Sequence, residues 1–163
     1  MFINKLLILL MVFVTSLVLA LPEDAKQPIE IEAQSVVVDE TTGFNEFRGD
    51  AEVRQGSLLL LADLIQVKTD NEEVVSMIAQ GSLEKPAKYI QRQENQARFI
   101  EATATLITYD VDEGMIFLDG NARLVQGFDS FSGDTLNYDI NKDKVIVKGS
   151  EDGTERVKFK IVL

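Results

Sequence analysis

Gly49-Asp50-Ala51-Glu52-Val53-Arg54-Gln55-Gly56 returns 71 positions later as Gly120-Asn121-Ala122-Arg123-Leu124-Val125-Gln126-Gly127. The same offset carries Ala33 to Ala104, Asp39 to Asp110, Gly43 to Gly114 and Asp63 to Asp134. A chain that repeats its turn residues together with its apolar positions is repeating a structural unit. Within each copy, short alternating stretches are separated by Gly, Asp and Asn, the pattern of a β-meander. Two such units make one continuous β architecture with an apolar surface. The function is expected on that surface rather than at a reactive group.

Outward from the repeat, Ile29, Ile31 and Ala33 alternate with Glu30, Glu32 and Gln34, the period of a half-buried strand. Val36 and Val38 correspond to Ile107 and Tyr109. Phe47, Ala51 and Val53 share one parity, as do Leu118, Ala122 and Leu124, while Glu46, Arg48, Glu52 and Arg54 form the solvent-facing set. Leu58 and Leu60 (matching Asp129 and Phe131) lie at one parity; Ile65 and Val67 (matching Leu136 and Tyr138) lie at the other. The switch falls at Ala62-Asp63 and at Gly133-Asp134, where a bulge, a corner or a simple turn re-aims the chain. Residues 74–79 and 144–148 close the two units, and here the offset slips to 68.

Between the units, residues 88–92 and 97–102 read either as two strands around Glu94-Asn95-Gln96 or as one helix with Tyr89, Gln93, Ala97 and Ile100 on a face. Pro86 restricts its neighbourhood to an edge or a strand entrance, and the surrounding β pattern favours strands. Val157, Phe159 and Ile161 alternate with Lys158 and Lys160 as a final strand. The expected class is all-β.

Residues 1–20 have the composition of a signal peptide. Lys5 gives a positive start, Leu6 to Val14 an apolar run, and Val18-Leu19-Ala20 a cleavage site. The alternative is an uncleaved anchor, although the run to Leu21 is slightly short of the roughly 20 residues a spanning helix needs. Residues 21–28 are expected to be a mobile lead-in and 29–163 a single domain, large enough for a core of its own. Without the leader the chain has 15 basic and 27 acidic residues, a net charge of −12. So acidic a chain has no electrostatic basis for binding nucleic acid. It has neither Cys nor His. Disulfides, the usual zinc sites, Ser-His-Asp triads and histidine bases are therefore excluded.

Asp39, Asp63, Asp110 and Asp134 recur in both copies, and paired carboxylates can run glycoside hydrolysis. Recurrence at equivalent positions is also what turn residues show, because Asp bonds to its own backbone in tight turns. Asp70-Asn71-Glu72-Glu73 and Asp110-Val111-Asp112-Glu113-Gly114 lack the spacing of a calcium loop. The apolar inner set comprises Val36, Val38, Phe47, Val53, Leu60, Ile107, Tyr109, Leu118, Leu124, Phe131 and Tyr138. A single sheet cannot bury such a face; it must curl, pair or hold a ligand. A filled sandwich and one whose sheets part for acyl chains both fit the pattern.

Taken together, the leader, Gln27-Pro28-Ile29-Glu30-Ile31-Glu32-Ala33, the Gly-Asp-Ala-x-Val-x-Gln-Gly motif followed by Ala62-Asp63, and Lys85-Pro86-Ala87-Lys88-Tyr89 resemble the OstA-like family of periplasmic lipopolysaccharide-transport proteins. The resemblance spans 27–163 and implies a twisted, slightly open antiparallel β-jelly roll of about sixteen strands built from two related meander units. It further implies end-to-end stacking into a bridge, with acyl chains in an apolar groove and sugars outside. An inner-membrane ATPase supplies the energy, so no reaction and no cofactor are expected of this chain. Ile29 and Ile31 are then expected at the N-terminal entrance and Tyr89, Tyr109 and Val111 on the groove wall. Val36, Val38, Phe47, Val53, Ile107, Leu118, Leu124 and Phe131 of the inner set complete the lipid-binding residues. Implied partners are lipopolysaccharide (through its lipid A acyl chains), OstA-like domains of inner- and outer-membrane components, and further copies of the chain.

Two departures from the family pattern stand out. The chain stops at Leu163 without a Lys-rich tail, which leaves its final strand as an open edge. Its acidity suits an anionic glycolipid only if the phosphates stay in solvent, met by Lys85, Lys88, Arg92 or Arg98. Three other readings stay open: a membrane-anchored relative in the same pathway, a lipid-free structural adaptor with a filled core, and a carboxylate hydrolase.

Overall fold

The computed structural model describes residues 23–93 and 98–162. The expected leader and the Glu94-Asn95-Gln96 stretch lie outside the described residues. Twelve strands follow a short 3-10 turn at Glu23–Lys26: β1 (Ile29–Glu32), β2 (Ser35–Asp39), β3 (Phe44–Gln55), β4 (Leu58–Asp70), β5 (Glu73–Gln80) and β6 (Ala87–Arg92), then β7 (Phe99–Ala104), β8 (Leu106–Asp110), β9 (Met115–Gln126), β10 (Asp129–Asp139), β11 (Lys144–Lys148) and β12 (Lys158–Lys160). The segment that read as strands or a helix is therefore β6 and β7, and Pro86 stands just before β6, where its missing N–H costs no ladder bond.

All pairings are antiparallel, and they divide the molecule into two sheets. An upper sheet runs β2-β3-β4-β5-β8-β9-β10-β11, and a lower one runs β1-β3-β4-β6-β7-β9-β10-β12. The long strands β3, β4, β9 and β10 serve both, each bending from one sheet into the other. Twelve strands thereby supply sixteen segments of an open, antiparallel β-jelly roll. The repeat is a translation along the sheets: β1–β6 form one unit and β7–β12 the next. A β10–β11 connection shorter by three residues produces the slipped offset, since Leu64 pairs with Gln80 where its counterpart Thr135 pairs with Lys148.

The repeated motif makes the corner. Arg48 pairs with Leu64 and Ala51 with Ala62, so Gly49 and Asp50 together oppose Asp63. In the second unit Gly120 and Asn121 oppose Asp134 in the same way. The extra residue of this bulge lies on β3 and β9, not on β4 and β10, and β4 passes Asp63 without a turn. Gly49 and Asp50 have φ of 80° and 44°, and Gly120 and Asn121 have 77° and 51°. This is the left-handed region, which Gly tolerates best and Asn and Asp better than other residues. A bend between sheets reverses which parity faces inward, and the inserted residue reverses it again. Phe47, Ala51 and Val53 therefore keep one parity, whereas Leu60 and Ile65 do not.

Asp39 and Asp110 are turn residues as expected. Asp39 Oδ1 accepts from the backbone N–H of Thr41 (2.9 Å), and Asp110 Oδ1 from that of Glu113 (2.9 Å). Asp63 and Asp134 instead mark the corners. On the outside of the first corner, Lys85 Nζ reaches Asp63 at 2.9 Å and also bonds Asp50.

Candidate functional site: the apolar interior and its mouth

Pairing carries an inward-facing row across every strand of each sheet. The upper row runs Val36, Phe47, Ile65, Ala79, Ile107, Leu118, Leu136, Val147. The lower runs Ile31, Val53, Leu60, Tyr89, Ala102, Leu124, Phe131, Phe159. The middle of both rows is buried, from Ile65, Val53, Tyr89 and Leu124 at 0% exposure to Phe47 at 6%. Burying each large side chain contributes about 1.5–3 kcal/mol. The two sheets touch where the Tyr89 and Tyr109 rings meet edge to face, with centroids 5.6 Å apart.

Both ends of the rows lie open. At one end Val36 is 52% and Val38 60% exposed, with Ile29 and Ile31 half-buried beside them; at the other, Phe159 is 70% exposed and Phe131 half-buried. Val36 and Val38 are thus corrected from interior residues to residues of an uncovered edge. Their counterparts Ile107 and Tyr109 are buried, at 1% and 8%. The difference is one of neighbours: β8 has β5 beside it, whereas among the described residues β2 is bonded to β3 alone. Val111 is half-buried against the core, and Phe47, Val53, Leu118 and Leu124 lie within it. Eleven of the thirteen expected lipid-contacting residues thus line or adjoin one continuous interior, and Val36 and Val38 stand exposed at its edge.

Opposite the corner, the sheets end in a mouth lined by hairpin turns and fastened by two polar clusters that the sequence reading missed. In the first unit, Asp24 of the 3-10 turn accepts from the Ser57 N–H (2.7 Å), the Ser57 hydroxyl (2.6 Å) and Gln91 Nε2 (3.1 Å), while Tyr89 Oη donates to Gln91 Oε1. The described part of the lead-in is therefore hydrogen-bonded to the domain. In the second unit, Asp143 Oδ1 accepts from Gln126 Nε2 (2.6 Å) and Tyr138 Oη (3.0 Å), and Gln93 Nε2 donates to Tyr138 Oη (2.7 Å). Asp143 belongs to the upper sheet's β10–β11 turn and Gln126 to the lower sheet, so this cluster spans the mouth.

Partial burial pushes the Asp24 carboxyl up, but the Ser57 and Gln91 hydrogen bonds and Arg92 outweigh it and hold the group below its ordinary 3.8. Hydrogen bonds from Gln126 and Tyr138 do the same for Asp143. Burial and the Asp143 carboxylate raise the Tyr138 phenol, which stays neutral and able to donate. A depressed carboxylate stabilises the fold above its unfolded value and loses that contribution as pH falls through its folded value. Melting temperature should accordingly fall as pH drops below about 3.8 and through the depressed folded values, and Asp143→Asn should flatten part of that fall. An unchanged slope in thermal melts of the variant would remove Asp143 from the latch.

Of the cations expected to meet phosphates, Lys85 is held by Asp50 and Asp63, and Lys88 pairs with Glu101 at 2.9 Å. Arg92 and Arg98 stand at the mouth, close enough to lower Asp24 and Asp143 respectively.

Comparison with known proteins gives concordant matches. The sequence model of the family described as LptA/(LptD N-terminal domain) LPS transport protein matches residues 30–144. The lipopolysaccharide export system protein LptH of Pseudomonas aeruginosa is 30% identical over 141 residues, 86% of this chain and 79% of that protein. The lipopolysaccharide export system protein LptA of Escherichia coli is 29% identical over 126 residues, 77% and 67% of the two chains. The crystal structure of P. aeruginosa LptH, described as the LptA homologous periplasmic component of the conserved lipopolysaccharide transport device, superposes with a TM-score of 0.76 at 26% identity. That match covers 87% of this chain and 100% of the other.

Proposed function

Because this chain belongs to the family of LptA and LptD N-terminal-domain lipopolysaccharide-transport proteins, we propose that it carries lipopolysaccharide through the periplasm with the lipid's acyl chains held between its two sheets. The observation that carries this reading is an apolar interior continuous across all eight positions of each sheet and uncovered at both ends. Acyl chains enter as the mouth parts, replacing side-chain contacts across the interior with contacts to the lipid. The exchange costs little in packing, while each methylene withdrawn from water contributes about 0.8 kcal/mol. Sugars and phosphates remain outside the mouth. The chain performs no chemistry of its own. Copies joined end to end, and joined to related domains of the membrane components, make the interior continuous over a longer distance.

A photo-crosslinking residue at Tyr109, with the outward-facing Arg54 as control, tests the route in cells. Capture of lipopolysaccharide at 109 and not at 54 is expected. Capture at neither position, with the variants folded, would favour the structural-adaptor reading, to which the dense packing of the interior lends support. Arg92 and Arg98 are the cations placed to meet phosphates at the mouth. Replacing both by Glu should lower capture at 109 several-fold by like-charge repulsion; undiminished capture would show that phosphates pass without them.

A further inference from the structure

We propose that Gln55, Gln91 and Gln126 form a row of amides that binds the carbonyl groups through which acyl chains join their headgroup. The row thereby selects lipids by their linkage as well as by their chains. This rests on the acyl-chain reading above and adds to it a polar subsite just inside the mouth.

Strand pairing makes the row. Gln55 stands two residues beyond Val53, Gln91 two beyond Tyr89 and Gln126 two beyond Leu124. Each is therefore nearer the mouth and on the inward parity of its strand. Gln91 pairs with Ile100 and Ile100 with Gln126, while Gln55 pairs with Leu58. Leu59 faces Ile90 in the same ladder, which sets Leu58 beside Gln91. Amides on β3, β6 and β9 thus alternate with Leu58 on β4 and Ile100 on β7. Neighbouring amides lie two strands apart, roughly 9.6 Å, with hydrocarbon between them.

Gln91 is 8% and Gln126 6% exposed; apart from tyrosines, they are the only buried polar side chains among the described residues. A carboxamide is tolerated in such a place when its hydrogen bonds are made. Each amide nitrogen donates to an acceptor that the strands of the lower sheet do not supply. Gln55 Nε2 donates to the Gln27 carbonyl (3.2 Å) and Gln91 Nε2 to Asp24 (3.1 Å), both on the lead-in. Gln126 Nε2 donates to Asp143 on the upper sheet's β10–β11 turn (2.6 Å) and also to Gln93 Oε1 (3.1 Å). Gln91 Oε1 is held by the Tyr89 hydroxyl, which keeps the nitrogen of that amide turned to the mouth.

Entry of a lipid takes these acceptors away. Parting the sheets draws Asp143 from Gln126, and lifting the lead-in removes the acceptors of Gln55 and Gln91. A buried donor left without an acceptor is costly, and hydrocarbon offers none. An acyl chain begins, by constitution, at a carbonyl, whose oxygen accepts an amide N–H at about 2.9 Å. With its carbonyls at the amide row, a lipid lays its chains inward over Val53, Tyr89 and Leu124, all fully buried. The amides are neutral, and Asp24 and Asp143 stand beside them, so the row suits carbonyls rather than phosphates. The Tyr138 hydroxyl, 3.5 Å from Gln126 Nε2, brings a further neutral group to the same level from the facing sheet.

Two synthetic ligands test the row in titrations of the purified protein. One is lipid A; the other is an analogue whose ester-linked acyl chains are replaced by ether-linked alkyl chains of the same length. They share sugars, phosphates and hydrocarbon and differ in the ester carbonyls. Wild-type protein should bind lipid A about fivefold more tightly or better, because the ether analogue leaves amide donors unpaired. Gln55→Met, Gln91→Met and Gln126→Met together keep side-chain length and remove the amides. That variant should bind the two lipids within about twofold of each other. Each single replacement should narrow the preference, so the test does not depend on the triple variant folding. Gln66→Met is the control, since Gln66 faces outward on the upper sheet and donates to Glu46 (3.0 Å); it should leave the preference intact. Equal affinities in the wild type, or a preference that survives in the triple variant, would overturn the subsite. Capture of lipopolysaccharide at 109 would leave the acyl-chain reading standing in either case. Wild-type protein that binds neither ligand would overturn the subsite and that reading together.

Discussion

Leu124→Ala should cost the domain about 2–5 kcal/mol and lower its melting temperature by roughly 10 °C or more. Leu124 is fully buried in the lower row between Ala102 and Phe131, on strands whose hydrogen bonds hold them at fixed spacing. The space it vacates cannot be refilled by collapse, so the loss contains a cavity contribution as well as the lost burial. Val38→Ala is the informative contrast. Val38 is 60% exposed, and its truncation should change monomer stability by no more than about 0.5 kcal/mol while weakening multimers. Thermal melts of dilute protein, paired with sizing at high concentration, separate the two effects. Equal losses of melting temperature in the two variants would contradict the division between a closed middle and open ends.

Gly120→Ala should cost about 3 kcal/mol through two contributions that a second variant separates. At φ of 77° an L side chain is strained, and a Cβ there would stand 2.1 Å from Thr105 Oγ1, far inside contact distance. Thr105 would have to give up its hydrogen bond to the Asp119 carbonyl (2.8 Å), which ties the crossing between β7 and β8 to the bulge. Gly153 has a similar φ of 76° but nothing within 4 Å. Gly153→Ala therefore carries strain without collision, about 1 kcal/mol. A loss at Gly120 no larger than that at Gly153 would mean that the corner yields easily.

The strands were legible in the sequence because alternation and turn residues report on a single strand at a time. The boundaries of β3 and β9 follow directly from the 71-residue repeat. The bend into two sheets was half-hidden. On β4 it appears as a change of parity at Asp63, but on β3 the inserted residue cancels the reversal and leaves an unbroken alternation. The open edge of the final strand was read from the sequence, but the exposure of the N-terminal edge was not. Val36 and Ile107 occupy the same place in the repeat, and what distinguishes them is a strand beside β8 that β2 lacks among the described residues. The latches at the mouth were out of reach for a similar reason. Asp24 meets Gln91 across 67 positions, and Asp143 reads locally as one more turn acid.

Translation between the two units makes the molecule a ruler with coarse divisions. Each unit adds four segments to each sheet, which at strand spacing is roughly 19 Å of length, and one chain adds roughly 38 Å. The cross-section is set by the corner and does not change with the number of units. If copies join end to end as proposed, the conduit can be lengthened only in whole steps, and the gap it spans would be matched by a count of subunits rather than by stretching any of them.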